Sequence, residues 1–252
     1  MSASARAAVA DLRDRIRRLD GRAPRDRAAL AFGVPEIDAR LPDGGLALAS
    51  LHEVSGSGDD LTGAAAATLF AAAAAARTRG PVLWCLTRAD LFAPALEQAG
   101  LASGRVVYVE AGDEKSLLAC FEEGLRHGGL GAVVAEVARL SMTASRRLQL
   151  AAEAGGTLAL ALRLRRHRGQ ADVYAEPSAA VTRWRVTALP SAPLPVPGLG
   201  RARWRLELTR CRAGEAAEFE VEAADAEGRI ALSSGLADRS PAARDGRSSA
   251  TA

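Results

Sequence analysis

Ser50–Gly63 reads SLHEVSGSGDDLTG, and an alanine-rich run, Ala64–Arg77, stands directly behind it. Ser50–Val54 reads as a short buried strand and the alanine run as a helix, with a turn rich in Gly and Asp between them. In a strand–loop–helix unit that turn is where a phosphate loop would sit. A working loop reads G-x-x-x-x-G-K-S/T: backbone N–H groups cradle the phosphates, a Lys neutralises charge and a hydroxyl holds Mg²⁺. Counted from Gly56, the second Gly falls on Leu61 and the Lys on Thr62. Counted from Gly58, Gly63 fits, but Ala64 and Ala65 take the Lys and hydroxyl positions. Neither register supplies a cation, and Asp59 and Asp60 stand where triphosphate charge would lie and add repulsion. The stretch reads as a nucleotide loop without its nucleotide, so no cofactor is expected.

Downstream, short apolar runs alternate with helical patterns. Pro81–Leu86, Arg105–Glu110, Gly131–Val137 and Thr157–Leu164 have strand length, and the segments between them carry helical periodicity. Asp90 is expected to cap a helix through Ala99, with Gly100 as its stop, and Asp113 to cap one whose Leu117, Leu118, Phe121 and Leu125 share a face. Thr143–Ala154 is the next helix. This alternation predicts an α/β fold with a mainly parallel sheet covered by helices on both faces.

From about residue 164 the pattern changes. Arg163–Arg168 (RLRRHR) is a compact basic cluster. Val181–Leu189 reads as a strand, and Pro190, Pro193, Pro195 and Pro197 form an extended connector. Arg201–Arg210 alternates, with Arg201, Arg203 and Arg205 on one face and Trp204, Leu206 and Leu208 on the other. Glu218–Glu222 alternates likewise, and Gly214 lies in the turn, so the two segments predict an antiparallel hairpin. Arg203 and Arg205 are expected to pair with Glu220 and Glu222, which makes Trp184 and Trp204 core residues rather than stacking platforms.

Upstream, Val9, Leu12, Ile16 and Leu19 have helical spacing, and Gly21 and Pro24 end the helix. Ile37 and Leu41 share a face of a short turn or helix, and Gly44-Gly45 makes a sharp reversal. The expected organisation is an N-terminal helix and linker over 1–24, one α/β domain over 25–232 with its β extension from about 181, and a disordered tail over 233–252.

Composition narrows the function classes. The net charge of the 252 residues is only +3, and Lys115 is the single Lys. The arginine bias therefore reads as a coding bias rather than a phosphate surface. Cys85, Cys120 and Cys211 are widely spaced in apolar segments and read as buried thiols of a reducing compartment. His52, His127 and His167 have no metal-ligand spacing, so no metal is assigned. No apolar run is long enough to span a bilayer, and a cytoplasmic protein without membrane association is expected.

The run F-G-x-x-x-I-D-x-x-L-x-x-G-G-L (Phe32–Leu46), followed by L-H-E-V-x-G (Leu51–Gly56), resembles the entry to the RecA ATPase core. More narrowly, from about Ala5 to Leu232 the chain resembles the ImuA family, RecA/SulA-like proteins that accompany ImuB in bacterial mutagenesis cassettes. The resemblance implies a RecA-like core, and three functional positions of that core depart from pattern here. The loop Lys and hydroxyl are missing. The water-positioning acid that ends the second core strand is replaced by Arg88. The strand that delivers an Mg²⁺-holding Asp offers only Glu136, read here as a strand-end carboxylate bonded to a neighbouring loop. Phosphoryl transfer needs several electrostatic partners acting together, so hydrolysis is not expected.

The resemblance further implies a non-catalytic accessory factor of SOS-induced translesion DNA synthesis. Its implied partners are ImuB, a polymerase homologue, and an error-prone replicative-type polymerase, with RecA contact and homo-oligomerisation also open. The basic cluster lies where the RecA core places mobile DNA-contacting loops. Arg163, Arg165, Arg166 and Arg168 would give weak, nonspecific, salt-dependent DNA contact. Two other readings remain: a SulA-like division inhibitor binding FtsZ, and an ATPase with a rearranged loop.

Overall fold

The computed structural model describes residues 28–58, 61–164, 176–194, 198, 200–212 and 214–232. The expected N-terminal helix and tail, Asp59, Asp60, Arg165, Arg166 and Arg168 lie outside the described residues.

The chain enters through β1 (Ala29–Leu30), α1 (Pro35–Asp38) and β2 (Leu46–Ala47), with β1 and β2 paired antiparallel. The Asp38 carboxylate accepts the N–H groups of Phe32 (2.7 Å) and Gly33 (2.9 Å). That clamp explains the F-G-x-x-x-I-D spacing: it turns the chain at Gly33, whose φ is +78°, and drops Phe32 against Phe70 and Trp184. Gly45 must be glycine because a Cβ there would sit 2.5 Å from the Leu30 carbonyl carbon.

There follow β3 (Leu51–Gly56), α2 (Leu61–Ala76), β4 (Val82–Leu86), α3 (Ala93–Gln98), β5 (Val106–Glu110), α4 (Glu114–Arg126), β6 (Ala132–Glu136), α5 (Met142–Gly155) and β7 (Leu158–Arg163). β8 (Thr182–Leu189), β9 (Arg203–Cys211), β10 (Ala217–Glu222) and β11 (Ala231–Leu232) complete a nine-stranded sheet. Its order is β11-β10-β9-β8-β3-β7-β6-β4-β5. The strands from β8 to β5 are parallel, and β9, β10 and β11 add antiparallel at the other side. The predicted fold class is therefore observed, including the C-terminal hairpin.

Strand alternation divides the core in two. On one face Val54, Trp84, Leu160, Trp184 and Leu206 pack with Phe70 and the alanines of α2. On the other, Leu51, Cys85, Ala135 and Ala161 pack with Leu117, Phe121 and Leu125 of α4 and Leu148 of α5. Asp113 caps α4 as expected, accepting the Ser116 N–H at 2.9 Å. The cap position of α3 is Phe92, not Asp90: Pro94 fixes the first turn and starts the helix later than the sequence implies.

Candidate functional site

All parallel strands point their carboxyl ends to one rim, where ligands of open α/β sheets bind. The loop leaving β3 lies on that rim. Gly56 and Gly63 bring its two ends into main-chain contact: a Cβ on Gly56 would stand 2.3 Å from the Gly63 carbonyl, and one on Gly63 would stand 2.1 Å from the Ser57 oxygen. This decides between the two registers. The count from Gly56 requires a hydroxyl side chain at Gly63, where none fits. The count from Gly58, itself at φ +75°, keeps Gly63 and leaves Ala64 and Ala65 at the Lys and hydroxyl positions. The Ser57 N–H, next to the loop start, is donated to the Val186 carbonyl at 2.9 Å. Leu61 opens α2 with its side chain 89% exposed, beside an exposed Thr62. These residues do not fit a magnesium-bound triphosphate.

Glu136, at the end of β6, is buried and accepts the Trp84 indole N–H at 3.1 Å. Among the described residues, a partner of this carboxylate is therefore a side chain of the neighbouring strand β4. Arg88 is exposed beyond the end of β4. Among the described residues no group of three or more His, Cys, Asp or Glu side chains is placed to hold a metal ion. None of their helices is long and apolar enough to cross a membrane.

Arg163 is corrected. It is the last residue of β7, only 3% exposed, and its Nη1 donates to Glu53 Oε2 at 2.8 Å, so it is not available to a nucleic-acid backbone. The other three arginines of the cluster lie outside the described residues.

Around Glu53 the structure assembles a site the sequence reading missed. Glu53 is fully buried in the middle of β3. Its Oε1 accepts the Ser178 hydroxyl and, at 3.3 Å, the Nε–H of Arg183. Arg183 also donates to the Glu176 carbonyl at 2.7 Å, while Arg210 and Arg212 donate to the carbonyls of Ser178 (2.8 Å) and Ala179 (2.6 Å). One carboxylate and three arginines thus fasten the segment that feeds β8. Two polar residues, His52 and Glu53, in an otherwise apolar run are the signal in LHEV, but the arginines that pair with Glu53 lie 110 to 130 residues away.

His52, the neighbour of Glu53, points to the opposite face. Its Nε2–H donates to the Ala47 carbonyl at 2.9 Å, and its Nδ1 accepts the Thr182 hydroxyl at 2.7 Å. The Thr182 oxygen in turn accepts the Trp184 indole N–H at 2.9 Å. Burial drives the imidazole pKa down to about 4, partly opposed by the Ala47 bond, and the network requires the neutral ring. Burial pushes the Cys85 thiol up to about 12, as suits an inert core residue.

Trp184 and Trp204 are core residues, as expected. Across the hairpin Arg203 and Arg205 both pair with Glu220 (3.0 and 3.1 Å) and Arg205 also with Glu218 (3.0 Å), while Glu222 pairs with Arg201 (3.1 Å).

The sheet and its helices define a RecA-like α/β protein. Comparison with known proteins agrees. No family model matches the chain. In solved structures it is similar to the RadB recombinase, with a TM-score of 0.55 and 16% identity over 80% of this chain and 98% of that one. It is also similar to SulA from Pseudomonas aeruginosa, with a TM-score of 0.39 and 30% identity over 45% of this chain and 96% of that one. In sequence it is 42% identical over 205 residues to Protein ImuA of Caulobacter vibrioides strains NA1000 and CB 15, covering 78% of this chain and 84% of the relative. The chain belongs to the ImuA family.

Proposed function

We propose that this chain is a non-catalytic accessory protein of SOS-induced translesion DNA synthesis that works by binding other proteins. Its partners are an ImuB-like polymerase homologue and an error-prone replicative-type polymerase, with RecA a further contact. Family membership supports the pathway. The loop leaving β3 supports the absence of catalysis: it closes through Gly56 and Gly63, with Ala64 and Ala65 where a cation and a metal-holding hydroxyl belong. Arg88 and the indole-bonded Glu136 leave no pair of acids to position water and metal. Without nucleotide control, assembly follows concentration and partner affinity. Any weak DNA contact in this reading falls to Arg165, Arg166 and Arg168, since Arg163 is committed to Glu53.

The test is purification of tagged protein from DNA-damaged cells, with identification of what accompanies it. Recovery of the polymerase homologue and the error-prone polymerase supports the proposal. Recovery of FtsZ in their place transfers the chain to the division-inhibitor reading.

A further inference from the structure

Among the described residues, β5 is the last strand of the sheet and is paired only with β4. The Ala111 N–H donates inward to the Leu86 carbonyl at 2.8 Å. By parallel-strand alternation, the backbone groups of Val106, Tyr108 and Glu110 therefore face outward. The side chains there are also apolar and open: Val107 is 53% exposed on one face and Tyr108 41% exposed on the other. Soluble proteins blunt such edges with Lys, Pro, a bulge or a very short strand. Val106–Glu110 (VVYVE) has no Lys or Pro and runs in unbroken register with β4. The opposite edge of the sheet, β11, is by contrast only two residues long.

We propose that β5 is a self-docking edge: two copies of this chain pair antiparallel through Val106–Glu110, about a two-fold axis beside Tyr108. The charge at the strand ends selects a second copy in this orientation. Arg105 stands at the amino end, its guanidinium bonded to the carbonyls of Ala76, Thr78 and Gly80 with no carboxylate among those partners. Glu110 and Asp113, both exposed, stand at the carboxyl end. An antiparallel copy sets the cationic end of each strand beside the anionic end of the other, whereas a parallel copy sets like against like. The outward backbone groups are symmetric about Tyr108. Tyr108 therefore exchanges N–H···O=C bonds with its counterpart, Val106 does so with Glu110 of the second copy, and Val107 lies opposite Val109. A five-residue strand buries well under the ~800 Å² per partner of a standard interface, so the dimer is weak and concentration-dependent.

The decisive feature is that residue 108 faces itself. Light scattering on the full chain over a concentration series is expected to rise from 26.2 kDa toward twice that mass. Tyr108→Lys and Tyr108→Glu are each expected to remain monomeric alone and to form a heterodimer when mixed. Under oxidised glutathione, Tyr108→Cys is expected to form a disulfide dimer, because a hydrogen-bonded antiparallel pair holds its Cα atoms about 5.5 Å apart, within disulfide reach. Glu110→Cys and the wild type should not cross-link. A monomer at every concentration, charged variants that stay dimeric alone, or a mixture that fails to dimerise would each overturn the proposal.

Discussion

Glu53 holds two guanidinium groups in the buried interior. Arg163 and Arg183 reach it from the two strands that flank β3, and all three side chains are at least nine-tenths buried. Such a cluster costs desolvation energy to form, so its net contribution over an apolar substitute is small, but removal of one partner strands the rest. Glu53→Gln keeps the shape and removes the charge. It is expected to lower unfolding free energy by about 3–5 kcal/mol in denaturant titration, whereas Arg203→Ala, whose ion pair with Glu220 is partly open to solvent, should cost under about 1 kcal/mol. Similar losses for both would show that burial does not set the value of the Glu53 pairs. His52 gives a second expectation. Its folded pKa of about 4 lies below the ordinary 6.5, so at low pH the unfolded chain binds the proton more readily. This contribution to stability is complete above pH 6.5 and is lost as pH falls from 6.5 toward 4, by about 3 kcal/mol in total. The slope should disappear in His52→Asn, and an unchanged slope would assign the acid sensitivity elsewhere. Neither role was legible in the sequence. Both residues stand out in LHEV as polar groups in an apolar strand, yet what they touch is fixed by parallel pairing across long crossovers, which no local pattern encodes.

At the scale of elements the sequence was more informative, because apolar periodicity is local. Each strand and helix from β3 to β10 overlaps a predicted segment, although β3, α2, α5, β9 and β10 run past the predicted ends, and the hairpin faces were correct down to which side carries tryptophan. The alanine run shows why α2 is central: with so little side-chain volume its backbone can approach the sheet closely, and Ala67, Ala71, Ala72 and Ala75 are fully buried beneath Phe70 and Trp184. Its last turn is held from outside. Arg105 donates to the carbonyls of Ala76 (2.6 Å), Thr78 (2.7 Å) and Gly80 (2.7 Å), satisfying acceptors that a helix end leaves without partners. The elements that were not legible are the short ones. β1, β2 and β11 have two residues each and exist only because a partner strand is supplied. The start of α3 moved because proline sterics outweighed a favourable capping residue.

For the whole molecule, the question is whether a working nucleotide site would need two added side chains or a rebuilt rim. Ala64 and Ala65 are half-buried and exposed, so Ala64→Lys with Ala65→Ser can be introduced without disturbing the core, in the register that Gly63 permits. If the loop alone were at fault, this graft would create an ATPase. Three other features oppose it. Asp59 and Asp60 bring negative charge into the loop sequence. Arg88 stands where a water-positioning acid belongs, and Glu136 is buried against Trp84. Phosphoryl transfer is stabilised by these partners jointly, so restoring one of them recovers little. The double variant is therefore expected to show ATP turnover indistinguishable from wild type in a phosphate-release assay. Adding Arg88→Glu should still fail to produce turnover, because the Glu136 carboxylate remains hydrogen-bonded to the Trp84 indole. Magnesium-dependent hydrolysis by the double variant would mean that the rim retained its catalytic geometry, and the protein would then be two substitutions from an active enzyme rather than a scaffold rebuilt for binding.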